Sequence, residues 1–273
     1  MENTRTKTTR NSLILLLTAA IWGMAFVSQS KGMDYMHPFT FNGVRSLIGA
    51  ASILVYILIS RKIAGDKAAP LDWKLNVKAG LLCGIFLTIA STLQQFGIKY
   101  TSVGKAGFIT TLYIIFVPMF GIFLKKKVAP VVWAAAVMAA VGMYLLCMTE
   151  SLRLGAGDIM VFLCAIAFAI QIMTVDHYAT RIDGAVVSCI QFTVCGVVCC
   201  IGALIWGQPT FGQLQEGLGA LLYAGVLSCG VGYTLQIVGQ KGLNPTVAAL
   251  IMSLESVIAT ISGWIAYKIG FLT

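Results

Sequence analysis

The chain has 273 residues, of which 58% are hydrophobic and only 11% charged. A soluble domain carries about 25% charged residues to coat its surface, so this composition excludes one. The net charge of +9 does not point to nucleic acid, because the Lys and Arg sit in short clusters between apolar runs, where they orient a membrane chain.

Nine apolar runs follow in chain order: 12–30, 39–60, 76–98, 103–124, 128–148, 157–176, 185–206, 217–239 and 245–267. Each is long enough to cross roughly 30 Å of hydrocarbon as a helix. The alternating short strands of a membrane barrel are absent, so the expected fold is an all-α integral membrane protein. Short connections carry turn-formers: His37-Pro38, Gly65-Asp66, Gly207-Gln208-Pro209 and Asn244-Pro245. The first run is too long for a cleavable signal peptide, and no A-x-A site closes it. The eight Cys lie within apolar runs without a CxxC pair, which reads as packing rather than metal binding or disulfides. With the N-terminus placed in the cytoplasm, thirteen Lys and Arg fall on the inner side and five on the outer, the bias the positive-inside rule requires.

The chain repeats itself. Ser91–Lys126 laid on Tyr233–Lys268 at an offset of about 142 gives ten identities, including Thr92/Thr234, Gln94/Gln236, Gly97/Gly239 and Lys99/Lys241. At an offset of about 146, Trp22-Gly23 falls on Phe168-Ala169 and Arg45 on Gln191. The units are therefore 12–148, with five helices, and 157–273, with four. An odd number of helices per unit makes the copies cross in opposite directions, an inverted repeat whose substrate site lies between them. Run 128–148 calls for a counterpart beginning near 270, so about nine helices are expected and a tenth is missing from the C-terminus of the sequence.

These features resemble the EamA family of the drug/metabolite transporter superfamily. The resemblance rests on Ala20-Ile21-Trp22-Gly23 with Phe26-Val27, Arg45, Leu93-Gln94-Gln95-Phe96-Gly97, Tyr100-Thr101-Ser102 and Ala106-Gly107-Phe108-Ile109-Thr110 running to Pro118. In the second unit it rests on Gln236, Asn244-Pro245, Ala248-Ala249-Leu250-Ile251 and Ser253-Leu254-Glu255. It implies ten helices, a central cavity, alternating access, a bacterial cytoplasmic membrane, and export of amino acids, related metabolites or drugs. Two departures stand out: Ser256 occupies a place where Pro commonly follows the Glu, and Ile269-Gly270-Phe271-Leu272-Thr273 stands where a Gly-Glu pair and a tenth helix would follow.

Charges inside a bilayer cost about 2.5–3.5 kcal/mol at its centre on insertion scales, so the deep ones need a reason. Glu255, about ten residues into its run, is either a cavity carboxylate that takes a cationic group or a proton, or a link locking two helices together. Its repeat counterpart, Tyr113, reaches the same depth. Arg45, near the outer third of its helix, is a substrate carboxylate receptor, a gating residue, a snorkelling charge or a partner for Glu255; Asn42 orients it. Gln94 and Gln236 are matched amides suited to a pseudo-symmetric site or to hydrogen bonds between helices, and Gln95, Gln171 and Gln191 are weaker versions. Trp22 and Tyr233 are candidate cavity walls, and Pro118 a candidate bend in its helix. The expected partners are a small-molecule substrate, the lipid bilayer and a proton or other coupling ion, with no nucleic acid, no metal and no cofactor. No phosphate-cradling Gly-x-x-x-x-Gly-Lys-Ser/Thr loop is present, so the energy comes from an ion gradient or the substrate gradient. A passive channel and an intramembrane enzyme are the alternatives, the latter lacking any catalytic constellation.

Overall fold

The computed structural model describes residues 2–65, 70–123 and 155–272, with scattered positions between 130 and 145. Run 128–148, together with Lys125-Lys126-Lys127 and Arg153, lies wholly or mostly outside the described residues. The rest is helical, and eight helices are long and apolar enough to cross a membrane: α1 (Glu2–Gly32), α2 (Pro38–Ala64), α3 (Trp73–Ile98), α4 (Val103–Phe123), α5 (Ala156–Tyr178), α6 (Gly184–Gly207), α7 (Leu218–Gln240) and α8 (Pro245–Lys268).

Local chemistry sets their ends. A helix start leaves backbone N–H groups without partners, and side chains accept from them. Asp72 Oδ1 accepts from Leu75 N at 3.0 Å, Ser102 Oγ from Lys105 N at 3.3 Å, Asp183 Oδ1 from Ala185 N at 2.9 Å and Asn244 Oδ1 from Thr246 N at 2.9 Å. Pro38 and Pro245 occupy first turns, where a missing N–H costs nothing. His37 Nδ1 caps α2 by accepting from Phe39 N at 3.3 Å. Burial, with Lys99 nearby, holds this imidazole below its ordinary value, so the ring remains a neutral acceptor at pH 7. After Lys268 the chain turns at Gly270, whose φ of 71° favours glycine. Phe271 N and Gly270 N then donate to Ala266 O at 2.9 Å and Tyr267 O at 3.1 Å, closing the end of α8.

The two units interlock rather than stand side by side. α3 packs on α5 and α6, α2 on α6 and α7, α1 on α7 and α8, and α4 on α5 and α8. The repeat explains this pairing. Gly97 of α3 lies against Gly157 and Val161 of α5, while Gly239 of α7 lies against Asn11 and Leu15 of α1; the two contacts match residue for residue under the offsets of 142 and 146. They also establish the inversion. The N-terminus of α1 meets the C-terminus of α7, whereas the N-terminus of α5 meets the C-terminus of α3 on the opposite face. That is the face where Gln95 Nε2 reaches Gln29 O near the end of α1, at 3.1 Å. Large apolar side chains such as Leu54, Leu58, Ile85, Ile201 and Trp264 remain exposed on the outside of the bundle, as lipid-facing residues must.

Close helix approach at Gly97 is a testable constraint. A Cβ there would press on Val161 and stand 2.8 Å from Gly157 O. Gly97→Ala is expected to lower stability by about 1–3 kcal/mol, read as a fall in melting temperature in detergent. A melting temperature equal to wild type would contradict this packing.

Candidate functional site

Helices α4 and α8 are each broken near their middle, at the same place in the repeat. α4 runs Val103–Thr110 and resumes at Tyr113–Phe123; α8 runs Pro245–Met252 and resumes at Glu255–Lys268. Two hydrogen bonds at each break correspond across the repeat. Leu112 N reaches Ile109 O at 3.1 Å and Ile114 N reaches Thr111 O at 3.0 Å; Leu254 N reaches Ile251 O at 3.3 Å and Ser256 N reaches Ser253 O at 3.1 Å. These tighter i→i+3 bonds mark a turn of 3₁₀ geometry. A hydroxyl bonds back at each break: Thr111 Oγ1 donates to Phe108 O, and Ser253 Oγ to Leu250 O, both at 2.8 Å. Such back-bonding bends helices.

The break does not fall at Pro118, the candidate bend. Pro118 lies inside the continuous segment after the break, and Thr260 holds the equivalent place in α8, which breaks identically. Pro118 is buried and does not line the cavity.

The first residues after the two breaks are Tyr113 and Glu255, and they meet: Tyr113 Oη donates to Glu255 Oε1 at 3.0 Å. Repeat-equivalent residues in contact lie on the pseudo-two-fold axis. Around them is a cavity lined by Trp22, Asn42, Arg45, Gln94, Tyr113, Gln171, Tyr233, Gln236 and Glu255, so the sequence-level candidates come together except Pro118, Gln95 and Gln191. It is narrow, leaving about 30 Å³ for the centres of water-sized molecules, room for about two waters.

The walls divide by chemistry. Trp22 and Tyr233 pack with ring centroids 4.5 Å apart, and Phe192 meets Tyr233 edge-on at 4.9 Å. Trp22 Nε1 points to Ser228 O at 3.4 Å, in a stretch of α7 (Tyr223–Gly232) wound wider than an α-helix. Wide turns of this kind are frequent at functional sites. Gln94 Nε2 donates to Thr110 Oγ1 at 3.2 Å. Gln236 Nε2 donates to Gln171 Oε1 at 3.2 Å, and Gln171 Nε2 to Gln191 Oε1 at 3.4 Å. Gln236 Oε1 is buried with no hydrogen-bond partner in the structure, which leaves an acceptor for a donor group.

Arg45 is buried, so it does not snorkel to the surface. Its Nε donates to Asn42 Oδ1 at 2.9 Å, and its guanidinium stands 5.5 Å from the centre of the Phe41 ring. Asn42 Nδ2 in turn reaches Ser91 Oγ at 3.0 Å and Cys199 Sγ at 3.2 Å. The pairing of Arg45 with Glu255 is not made: the ion pairs among the described residues are Lys31–Asp34 and Lys105–Asp158. The cavity thus holds one guanidinium and one carboxyl group that do not satisfy each other.

Sequence reasoning missed the buried pair Lys105–Asp158, where Lys105 Nζ meets Asp158 Oδ2 at 2.7 Å. Two residues into its apolar run, Lys105 reads in the sequence as one of the five outer cations. An Asp opening an apolar run beside a Lys two residues into another was the available clue. The cavity residues Ser91, Phe192 and Ser228 carry no such signal, because nothing in an isolated apolar helix says which face turns inward. Among the described residues no cluster of His, Cys, Asp and Glu could hold a metal ion.

An inverted pair of interlocked helical units, with broken helices meeting at a central polar cavity, defines a polytopic membrane transporter. The EamA-like transporter family matches residues 10–148 and 155–272. The chain belongs to this family, within the drug/metabolite transporter superfamily. Similar proteins include an uncharacterized transporter of Archaeoglobus fulgidus, 30% identical over 171 residues, covering 60% of this chain and 48% of that one. The uncharacterized transporter YwfM of Bacillus subtilis is 27% identical over 256 residues, 92% of this chain and 84% of the relative. A solved crystal structure with 16% identity superposes with a TM-score of 0.74, covering 97% of this chain and 90% of that one, a likeness of fold.

Proposed function

We propose that this protein is a secondary transporter of small organic metabolites, amino acids or related zwitterions foremost, and works as an exporter by alternating access in a bacterial cytoplasmic membrane. Its N-terminus faces the cytoplasm. The observation that carries the reading is the cavity on the pseudo-symmetry axis, where Arg45 and Glu255 share one chamber without pairing. Unpaired charge is costly at membrane depth. A zwitterion with its carboxylate toward Arg45 and its ammonium toward Glu255 removes that cost at both ends. Trp22, Tyr233 and Phe192 take the apolar part of the substrate, and Gln94 and Gln236 its remaining donors and acceptors. Glu255 accepts either a proton or the ammonium group, which couples substrate to protons. Inverted repeats support alternating access because two near-equal halves can exchange conformations about a fixed central site.

Orientation is supported by charge. Lys7, Arg10, Arg61, Lys62, Lys74, Lys78, Arg181 and Lys241 fall on the face of the α1 N-terminus, against Lys31, Lys99, Lys105 and Lys268 on the other.

The test is counterflow in proteoliposomes with a labelled panel of amino acids and small metabolites. A carrier gives saturable uptake driven by unlabelled substrate inside. Flux that rises linearly with concentration and shows no counterflow would mean a passive pore instead. With a transported molecule in hand, Gln94→Ala and Gln236→Ala should each raise KM about five- to tenfold, the loss of one hydrogen bond of about 1–1.5 kcal/mol, with little change in melting temperature. Lower stability at unchanged KM would assign both amides to helix packing.

A further inference from the structure

Two joints of the fold are related by the repeat, and they differ in how their charges are met. In the first, α5 begins against the α3–α4 turn. There Asp158 accepts from Lys105 Nζ and Thr101 Oγ1, each at 2.7 Å, and from Gly155 N at 2.9 Å. In the second, on the opposite face, α1 lies in the same way against the α7–α8 turn, with Asn11 Nδ2 bonded to Lys241 O at 2.8 Å. The repeat puts Ser12, Leu243 and Val247 where the first joint has Asp158, Thr101 and Lys105. The second joint therefore lacks the carboxylate. At this joint lies a pocket lined by Lys7, Arg10, Asn11, Lys241 and Leu243, the counterpart of Thr101, with about 560 Å³ open to the centres of water-sized molecules. None of its three cations has an ion-pair partner among the described residues; Lys241 Nζ makes one contact, to Ile182 O at 3.4 Å.

We infer that this pocket binds a phosphate-bearing anion, the phosphodiester of an anionic lipid headgroup or a free phosphate, which does for the second joint what Asp158 does for the first. The pocket lies where the apolar span of α1 begins, at Lys7, the level of the headgroups. Basic recesses between transmembrane helices suit such headgroups. Orientation alone is served equally by dispersed cations such as Lys74 and Lys78 and does not require three of them to share one recess.

The full chain in detergent is titrated with dioctanoyl phosphatidylglycerol, with dioctanoyl phosphatidylcholine, and with sodium phosphate at constant ionic strength, while the melting temperature is followed. Phosphatidylglycerol is expected to raise it saturably and phosphatidylcholine to leave it unchanged. A response to the lipid alone identifies a headgroup site, and an equal response to phosphate identifies a free-anion site. Combining Lys7→Gln, Arg10→Gln and Lys241→Gln should weaken apparent affinity roughly a hundredfold, at about fivefold per cation. Lys74→Gln with Lys78→Gln, which removes charge from the same face, should leave it unchanged. Ser12→Asp supplies the carboxylate from within; it should raise the melting temperature of the ligand-free chain and abolish the response, which keeps the test open if the triple variant does not fold. Absence of a saturable response to both phosphate sources, or an equal loss in the Lys74/Lys78 variant, overturns the inference.

Discussion

Glu255→Gln is expected to leave the chain folded and inserted while lowering saturable transport at least about tenfold, the loss of a charge-assisted contact of about 1.5–3 kcal/mol. The substitution keeps shape, and an amide oxygen still accepts from Tyr113 Oη, which now reaches Glu255 Oε1 at 3.0 Å. What disappears is the ability to take up a proton or pair with an ammonium. The variant should also lose its pH dependence between about pH 5 and pH 8, the range in which a buried carboxyl can titrate. Transport rate, pH profile and melting temperature measured together separate the two roles of this residue. Wild-type rates with an unchanged pH profile would sink the coupling role, whereas a lower melting temperature with transport intact would make Glu255 a helix-to-helix tie through Tyr113.

The largest stability effect is expected at the other buried ionisable pair. Asp158→Asn leaves the Lys105 ammonium buried without its carboxylate, the circumstance in which breaking a buried ion pair costs about 3–5 kcal/mol. Both side chains are shielded, at 10% and 4% exposure, so water cannot replace the lost partner. Replacing both together, Lys105→Met with Asp158→Leu, should recover most of the loss, because apolar pairs of similar volume often match or exceed buried ion pairs. Thermal melts in detergent decide it: single and double variants falling equally would show that the pair acts through something other than its charges. The joint ties α4 of the first unit to α5 of the second, and the repeat-equivalent joint on the other face has no such pair among the described residues.

Much of the site was legible because the sequence repeats. The offset that aligned Gln94 with Gln236 also aligned Tyr113 with Glu255, and those last two residues touch. Under an inverted repeat, residues at equal depth converge near the axis, so depth counted from helix ends was enough to bring the candidates together. Three features were not legible, each for a physical reason. The breaks in α4 and α8 sit in Thr111-Leu112 and Ser253-Leu254, where hydropathy continues without interruption; only a hydroxyl bonding back to the chain marks them. Pro118 drew attention because proline usually explains a bend, yet α8 bends at the same place without one. Lys105 lies close to the end of its run, where a hydropathy reading assigns lysine to topology, and only the packing of α4 on α5 shows that Asp158 waits for it. Arg45 falls between these cases: its place in α2 was readable, but its turn inward toward Asn42 depends on α3 and α6 packing behind it.

The most direct test of a central cavity used from both sides of the membrane is the accessibility of its two matched amides. Gln94→Cys and Gln236→Cys are placed singly in a chain whose native cysteines are replaced, and sealed vesicles are labelled from either side with a membrane-impermeant thiol reagent. A single alternating-access site predicts that each position reacts from both sides, and that a molecule active in counterflow slows both reactions. Labelling of each position from one side only, with no protection by that molecule, would contradict a shared central site.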